Sequence, residues 1–178
     1  MSRTIYYVAS SIDGFIATPE HSLDWLLTRE MDDQGPMGYR PFIEKVGAIA
    51  MGSATYEWIR SNLPSWDYTV PTWVFTRRDL EGVEGADVRF THDDVEHVHR
   101  LMNETAQDRD VWVMGGGELV GQFTDRGLVD ELVVSFAPVA LGAGYPVLPR
   151  HVELRLLECA ANGEFACTRY EVLRSPEQ

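Results

Sequence analysis

Lysine is nearly missing from this chain. Lys45 is the only one, and with arginine the basic residues number 15 against 28 acidic ones, a formal net charge of −13. Non-specific binding to nucleic acid or to an anionic membrane face needs clustered Lys and Arg, so both are excluded as partners. Long apolar runs are missing too. None approaches the roughly 20 residues of a membrane span, and MSRTIYYVAS leads directly into a strand pattern without a signal peptide's apolar stretch, so a cytoplasmic address is expected. Histidine pairs with metal-ligand spacing are lacking as well. His97 and His99 stand two apart on a helical stretch and face different sides of it, so no metal site is expected.

Cysteine is scarce, at two residues. Cys159 and Cys167 flank Asn162-Gly163, a strong hairpin signal. A two-residue turn there pairs position 161 with 164 and 159 with 166. Cys167 then points to the face opposite Cys159, and both are expected as reduced thiols. What the chain does have is a hydrophobic content of 44 % and five tryptophans, which argue against disorder. At 178 residues, a single domain over 1–178 is expected.

The most informative stretch is VWVMGGGELVGQF at 111–123. Val111 to Met114 suit a strand buried on both faces, three glycines follow, and Glu118 to Phe123 are compatible with a helix. Glycines at a strand's carboxyl end let the main chain approach a ligand and aim free helix amides at it, a geometry suited to phosphate. A plain strand-to-helix turn would need one glycine. The spacing from 115 to 121 is G-x-G-x-x-x-G and comes late in the chain, which separates it from the G-x-G-x-x-G of an ordinary Rossmann dehydrogenase. A second glycine turn follows the apolar run 48–51, in Gly52-Ser53-Ala54-Thr55-Tyr56-Glu57. Two such turns point to a dinucleotide lying across neighbouring strand ends, although Ser53 and Thr55 also read as simple helix caps.

Other elements follow from periodicity and punctuation. Strands are predicted at 4–9, 72–75, 87–90 and 132–136, with a closing hairpin over 153–160 and 164–173. Helices are predicted at 40–46, ended by Gly47, and from a Thr91 cap to about Thr105. The segment 18–38 is polar and irregular and is expected to line or cover a site. Within it Trp25 reads either as a ring-stacking residue or as an anchor to the core. Asp13 before Gly14 reads as a turn former or a substrate contact. Arg77 and Arg78, the only adjacent basic pair, follow a strand directly and could hold a phosphate through bidentate hydrogen bonds. Early strands alternate with helices and the end is antiparallel, so the fold class is α/β: a mixed, mostly parallel sheet with helices on both faces and a C-terminal antiparallel hairpin.

In order and spacing, MGSATYE at 51–57, VFTRR at 74–78 and VMGGGELVGQF at 113–123 resemble the cofactor-binding segments of the dihydrofolate reductase fold. YVASSIDGFIA and VSFAPVALGAGYPVL look more like its riboflavin-biosynthesis reductase branch, the RibD C-terminal domain family. The resemblance covers about residues 3 to 173. It implies a reductase moving hydride from NADPH to a flat nitrogen heterocycle, of the 5-amino-6-(5-phosphoribosylamino)uracil type. The alternatives are a dihydrofolate reductase acting on a pterin and a non-catalytic nucleotide-binding module. It also implies that Ala9 and Ile16 border the nicotinamide, and that Gly52, Ser53, Ala54 and Thr55 meet the phosphates. Phe75, Thr76 and Arg77 would flank the adenosine, and Gly115, Gly116, Gly117, Glu118 and Leu119 would complete the cradle, with a cis peptide at Gly115-Gly116. Relatives commonly place Arg where this chain has Ser53, so NADPH preference leans on Arg77 and Arg78 and NADH stays open. The acid of true dihydrofolate reductases falls near Pro36. Asp13 is therefore the first candidate proton donor, ahead of Asp32 and Asp33, while Trp25 and Arg40 are candidate substrate contacts. A homodimer is expected by analogy with relatives and from the exposed edge of the hairpin.

Overall fold

The computed structural model of the chain describes residues 2–174. Its strands are β1 (Thr4–Ser11), β2 (Phe15–Ala17), β3 (Val46–Gly52), β4 (Thr72–Phe75), β5 (Val88–Thr91), β6 (Asp110–Gly115), β7 (Glu131–Ala137), β8 (Tyr145–Pro146), β9 (Leu154–Asn162) and β10 (Phe165–Val172). The helices are α1 (Asp24–Leu27), α2 (Tyr39–Ile43), α3 (Ser53–Asn62), α4 (Val95–Ala106) and α5 (Gly117–Asp125). Eight strands form one sheet in the order β5-β4-β3-β6-β1-β7-β10-β9, and β2 pairs with β8 in a small ribbon. Strands β5 through β7 are mutually parallel, whereas β10 runs antiparallel to both β7 and β9.

The central strands read as near-continuous apolar runs because both of their faces are covered. On one face Ala48, Ala50, Val111 and Val113 pack beneath Val98 and Met102 of α4 and Val120 and Phe123 of α5. On the other face Ile49, Met51 and Trp112 meet Tyr56 and Ile59 of α3. Residues alternate between these two layers as the pleat requires. Burying one such large side chain contributes about 1.5–3 kcal/mol, so the two layers together set which helices close which face.

Three boundaries differ from the sequence reading. The helix expected at 40–46 is Tyr39–Ile43, and Val46 and Gly47 already belong to β3. Gly47 serves packing here and does not end a helix: a Cβ on it would come within 2.8–2.9 Å of Arg109 and Ala106. Thr91 closes β5, and Asp94 caps α4 by accepting a 3.0 Å bond from the Glu96 amide. The closing hairpin turns through Gly163-Glu164, so Asn162 pairs with Phe165 and Ala160 with Cys167. That shift moves the pairing by two positions and preserves side-chain parity. Cys167 is accordingly buried, Cys159 is exposed, and both are free.

Asn162 explains the shifted turn. It is buried, and its side chain is committed to the irregular segment: Oδ1 accepts from the Asp32 amide at 3.0 Å, and Nδ2 donates to the carbonyls of Asp32 at 2.9 Å and Pro36 at 3.0 Å. Gly163, at φ +58°, lies directly against the Glu30 carbonyl, where a Cβ would collide. The hairpin tip therefore clamps residues 30–36. Asn162→Ala would strand these main-chain groups and is expected to lower stability by about 2–3 kcal/mol, read as a shifted denaturant midpoint with an unchanged slope. A loss below about 0.5 kcal/mol would mean that the clamp is dispensable.

Candidate active site

Parallel strands that are neighbours end on one rim. β4, β3, β6 and β1 are adjacent, and their carboxyl ends carry Phe75, Gly52, Gly115 and Ser11. Helices α3 and α5 start immediately after two of these ends. Their cap residues, Gly52 (φ −81°, ψ 166°) and Gly116 (φ −72°, ψ −178°), are extended and have no side chain to bond the first amides. Two helix amino termini thus lie next to each other without side-chain caps. Each concentrates partial positive charge from its unpaired amides, the arrangement that binds phosphate. The peptide between Gly115 and Gly116 is cis.

The three consecutive glycines serve three different purposes. Gly115 holds φ +126°, which side-chain-bearing residues rarely adopt. Gly117 lies against the Pro146 and Val147 carbonyls, where a Cβ would collide, so it is needed for packing. Gly116 is different. A Cβ there would meet only Ile16 Cδ1, at 3.8 Å, and would otherwise project into open space.

That space is a cavity of about 1090 Å³. Of the sequence-predicted cofactor residues, Ala9, Ile16, Gly52, Ser53, Ala54, Thr55, Phe75, Gly116, Gly117, Glu118 and Leu119 line it. Thr76, Arg77 and Gly115 lie outside the lining. Among the described residues no lysine or arginine lines the cavity; two carboxylates that do, Glu57 and Glu118, are held by Arg78 (2.6 and 3.1 Å) and Arg150 (2.8 and 3.2 Å). Hydrogen bonding from Arg150 holds the Glu118 carboxyl below its ordinary range. With Arg78 engaged by Glu57, Arg77 is the exposed cation at the end of β4, and among the described residues no carboxylate pairs with it.

Sequence reasoning missed the aromatic half of the cavity, which is lined by Tyr7, Trp58, Tyr68, Trp112 and Met114. A signal was present in part. Tyr7 and Ala9, like Trp112 and Met114, are two apart on strands and share a face.

Four candidates are placed elsewhere. Trp25 packs with Phe165 and Cys167 in a third apolar cluster, its Nε1 donating to the Ser22 carbonyl at 3.2 Å, so it anchors its loop and does not line the cavity. Arg40 and Asp33 are exposed, 4.0 Å apart, and also outside the lining. Asp13 is a loop clasp outside the cavity lining. Its carboxylate accepts from Ser11 Oγ at 2.6 Å, the Leu141 amide at 3.0 Å and the Gly142 amide at 2.7 Å. These bonds hold its pKa down at about 2, so it carries no proton near neutrality.

The alternating topology, the paired glycine turns and the cis Gly-Gly peptide define the class: a dihydrofolate reductase-like domain. The RibD C-terminal domain family matches residues 64–167, and the chain belongs to that family. Uncharacterized protein YwjB of Bacillus subtilis is 33 % identical over 159 residues, covering 86 % of this chain and 88 % of its own. A crystal structure from Shewanella sp. PV-4, of a protein provisionally named for riboflavin biosynthesis, superposes with a TM-score of 0.83 at 24 % identity, covering 97 % of this chain and 99 % of the other. The Thermotoga maritima diaminohydroxyphosphoribosylaminopyrimidine deaminase/5-amino-6-(5-phosphoribosylamino)uracil reductase superposes at 0.67 and 15 % identity over 97 % of this chain. The chain spans 57 % of that protein's length.

The Asp13 clasp has a pH signature. A carboxyl whose folded pKa lies below its ordinary value of 3.8 contributes stability above that value and loses it as pH falls through the folded pKa. The Leu141 and Gly142 amide resonances should therefore titrate with a midpoint near 2 and become pH-independent in Asp13→Asn. A midpoint near 4, the unperturbed range, would show that the carboxylate does not hold the loop.

Proposed function

We propose that this protein is an NADPH-dependent reductase that passes hydride to a flat nitrogen heterocycle. The observation that supports this most is the pair of adjacent, uncapped helix amino termini facing one cavity. The cavity fits the cofactor chemically. Gly116 leaves an open approach to the main chain, Ser53 and Thr55 add hydroxyls beside the amides, and Arg77 offers an exposed guanidinium at the adenosine end. Bound NADPH would supply the hydride. The chain's own residues would hold the phosphates, bracket the nicotinamide between Ala9 and Ile16, and keep water out with apolar walls. The proton would come from water or from a hydroxyl in the cavity, since Asp13 and Asp33 lie outside it.

Two substitutions test the assignment. Gly116→Val should leave the melting temperature nearly unchanged, because a Cβ there meets only Ile16 Cδ1, at an ordinary contact distance of 3.8 Å, while weakening NADPH binding at least about tenfold, or 1.4 kcal/mol. Unchanged affinity in calorimetry would refute the placement. Arg77→Ala should raise the NADPH dissociation constant more than the NADH one, and equal effects would remove Arg77 from the 2′-phosphate. NADPH binding without oxidation at 340 nm on any aminouracil or pterin would leave a nucleotide-binding module.

A further inference from the structure

The aromatic half of the cavity carries information on the second ligand, and the inference drawn from it rests on the reductase reading above. Its wall rings pack on one another. Tyr7 stacks on Phe42 at 4.2 Å and meets Trp112 edge-on at 6.2 Å, and Tyr68 meets Trp112 edge-on at 6.1 Å. The polar atoms of two wall residues are already engaged. Tyr7 Oη donates to the Met37 carbonyl at 2.9 Å, and Trp112 Nε1 donates to the Tyr7 carbonyl at 3.1 Å. Two polar atoms of the wall have no hydrogen-bond partner among the described residues, the Tyr68 hydroxyl and Trp58 Nε1, and of these only the hydroxyl sits on a tyrosine that can both donate and accept. Burial, with Tyr39 and Asp67 nearby, raises its pKa, so it remains a neutral donor.

Among the described residues no lysine or arginine lines the cavity, and its one histidine, His21, is bonded through Nε2 to Tyr145 Oη at 2.8 Å. Four arginines are committed to carboxylates or face one: Arg78 to Glu57, Arg150 to Glu118 and Asp125, Arg29 to Glu164, and Arg40 opposite Asp33. Recruiting any of them to a ligand phosphate would leave an unpaired carboxylate beside that phosphate. In a chain of net charge −13 this is doubly unfavourable.

We propose that the second ligand is an uncharged, flat heteroaromatic compound without a phosphate, stacked among Tyr7, Trp58 and Trp112 and accepting a hydrogen bond from the Tyr68 hydroxyl. The site then differs in ligand charge from the phosphoribosyl substrate named for the Thermotoga maritima protein.

The test compares 5-amino-6-ribosylaminouracil with its 5′-phosphate, by quenching of tryptophan fluorescence in full-length protein saturated with NADP⁺. The unphosphorylated compound should bind at least about tenfold more tightly, and Tyr68→Phe should weaken it about five- to tenfold with an unchanged melting temperature. Asn62→Arg, which adds a cation on the α3 wall, should narrow the preference. Equal or tighter binding of the phosphate, no effect of Tyr68→Phe, or binding of neither compound would overturn the proposal. NADP⁺ affinity is titrated separately. Failure there strikes the reductase reading, and the same comparison without nucleotide still reads the preference for the uncharged ring.

Discussion

β4, β3, β6 and β1 are hydrogen-bonded neighbours running the same way, so their carboxyl ends share one rim of the sheet. Everything at the site follows from this constraint. A helix that starts at a strand end presents amides to whatever lies above that end. When two such helices start at adjacent strands, the amides converge. The glycine at each start withholds the side chain that would otherwise satisfy them. Apolar layers on both faces fix the strands, and so the rim is rigid before any ligand arrives.

The same arrangement answers an electrostatic problem. A chain with an excess of thirteen negative charges would repel, at long range, the anionic nucleotide proposed for this rim. Solution ions screen that repulsion beyond roughly 8 Å, whereas main-chain amides act at contact. Short-range donors therefore suit this chain better than a general basic surface. Its arginines mostly neutralise its own acids, and this pairing restricts the cations available near the cavity to those left unpaired, Arg77 among them.

The sequence made the rim legible because glycine runs after buried strands have few other uses. It located both helix starts, the strand carrying Phe75, and the mixed sheet with its antiparallel end. It was less informative where residues depend on distant partners. Nothing local distinguishes Trp25 packed on Phe165 from a tryptophan stacked on a ligand, or Asp13 bound to two amides beyond position 140 from a free acid. The hairpin turn moved by one residue because Asn162, a good turn former by itself, is drawn into the segment around Asp32. Thr91 lost its capping role to Asp94 because strand β5 extends as far as Thr91.

The clamp at the hairpin tip also imposes an order on assembly. The segment it fixes includes Asp32, yet the residue that holds it, Asn162, comes 130 positions later. During translation the early loop must wait for Asn162 to emerge before it can settle, and β1 likewise waits for β6 and β7. A nascent chain would hold exposed strand surface until then, so slow folding follows from this long-range connectivity.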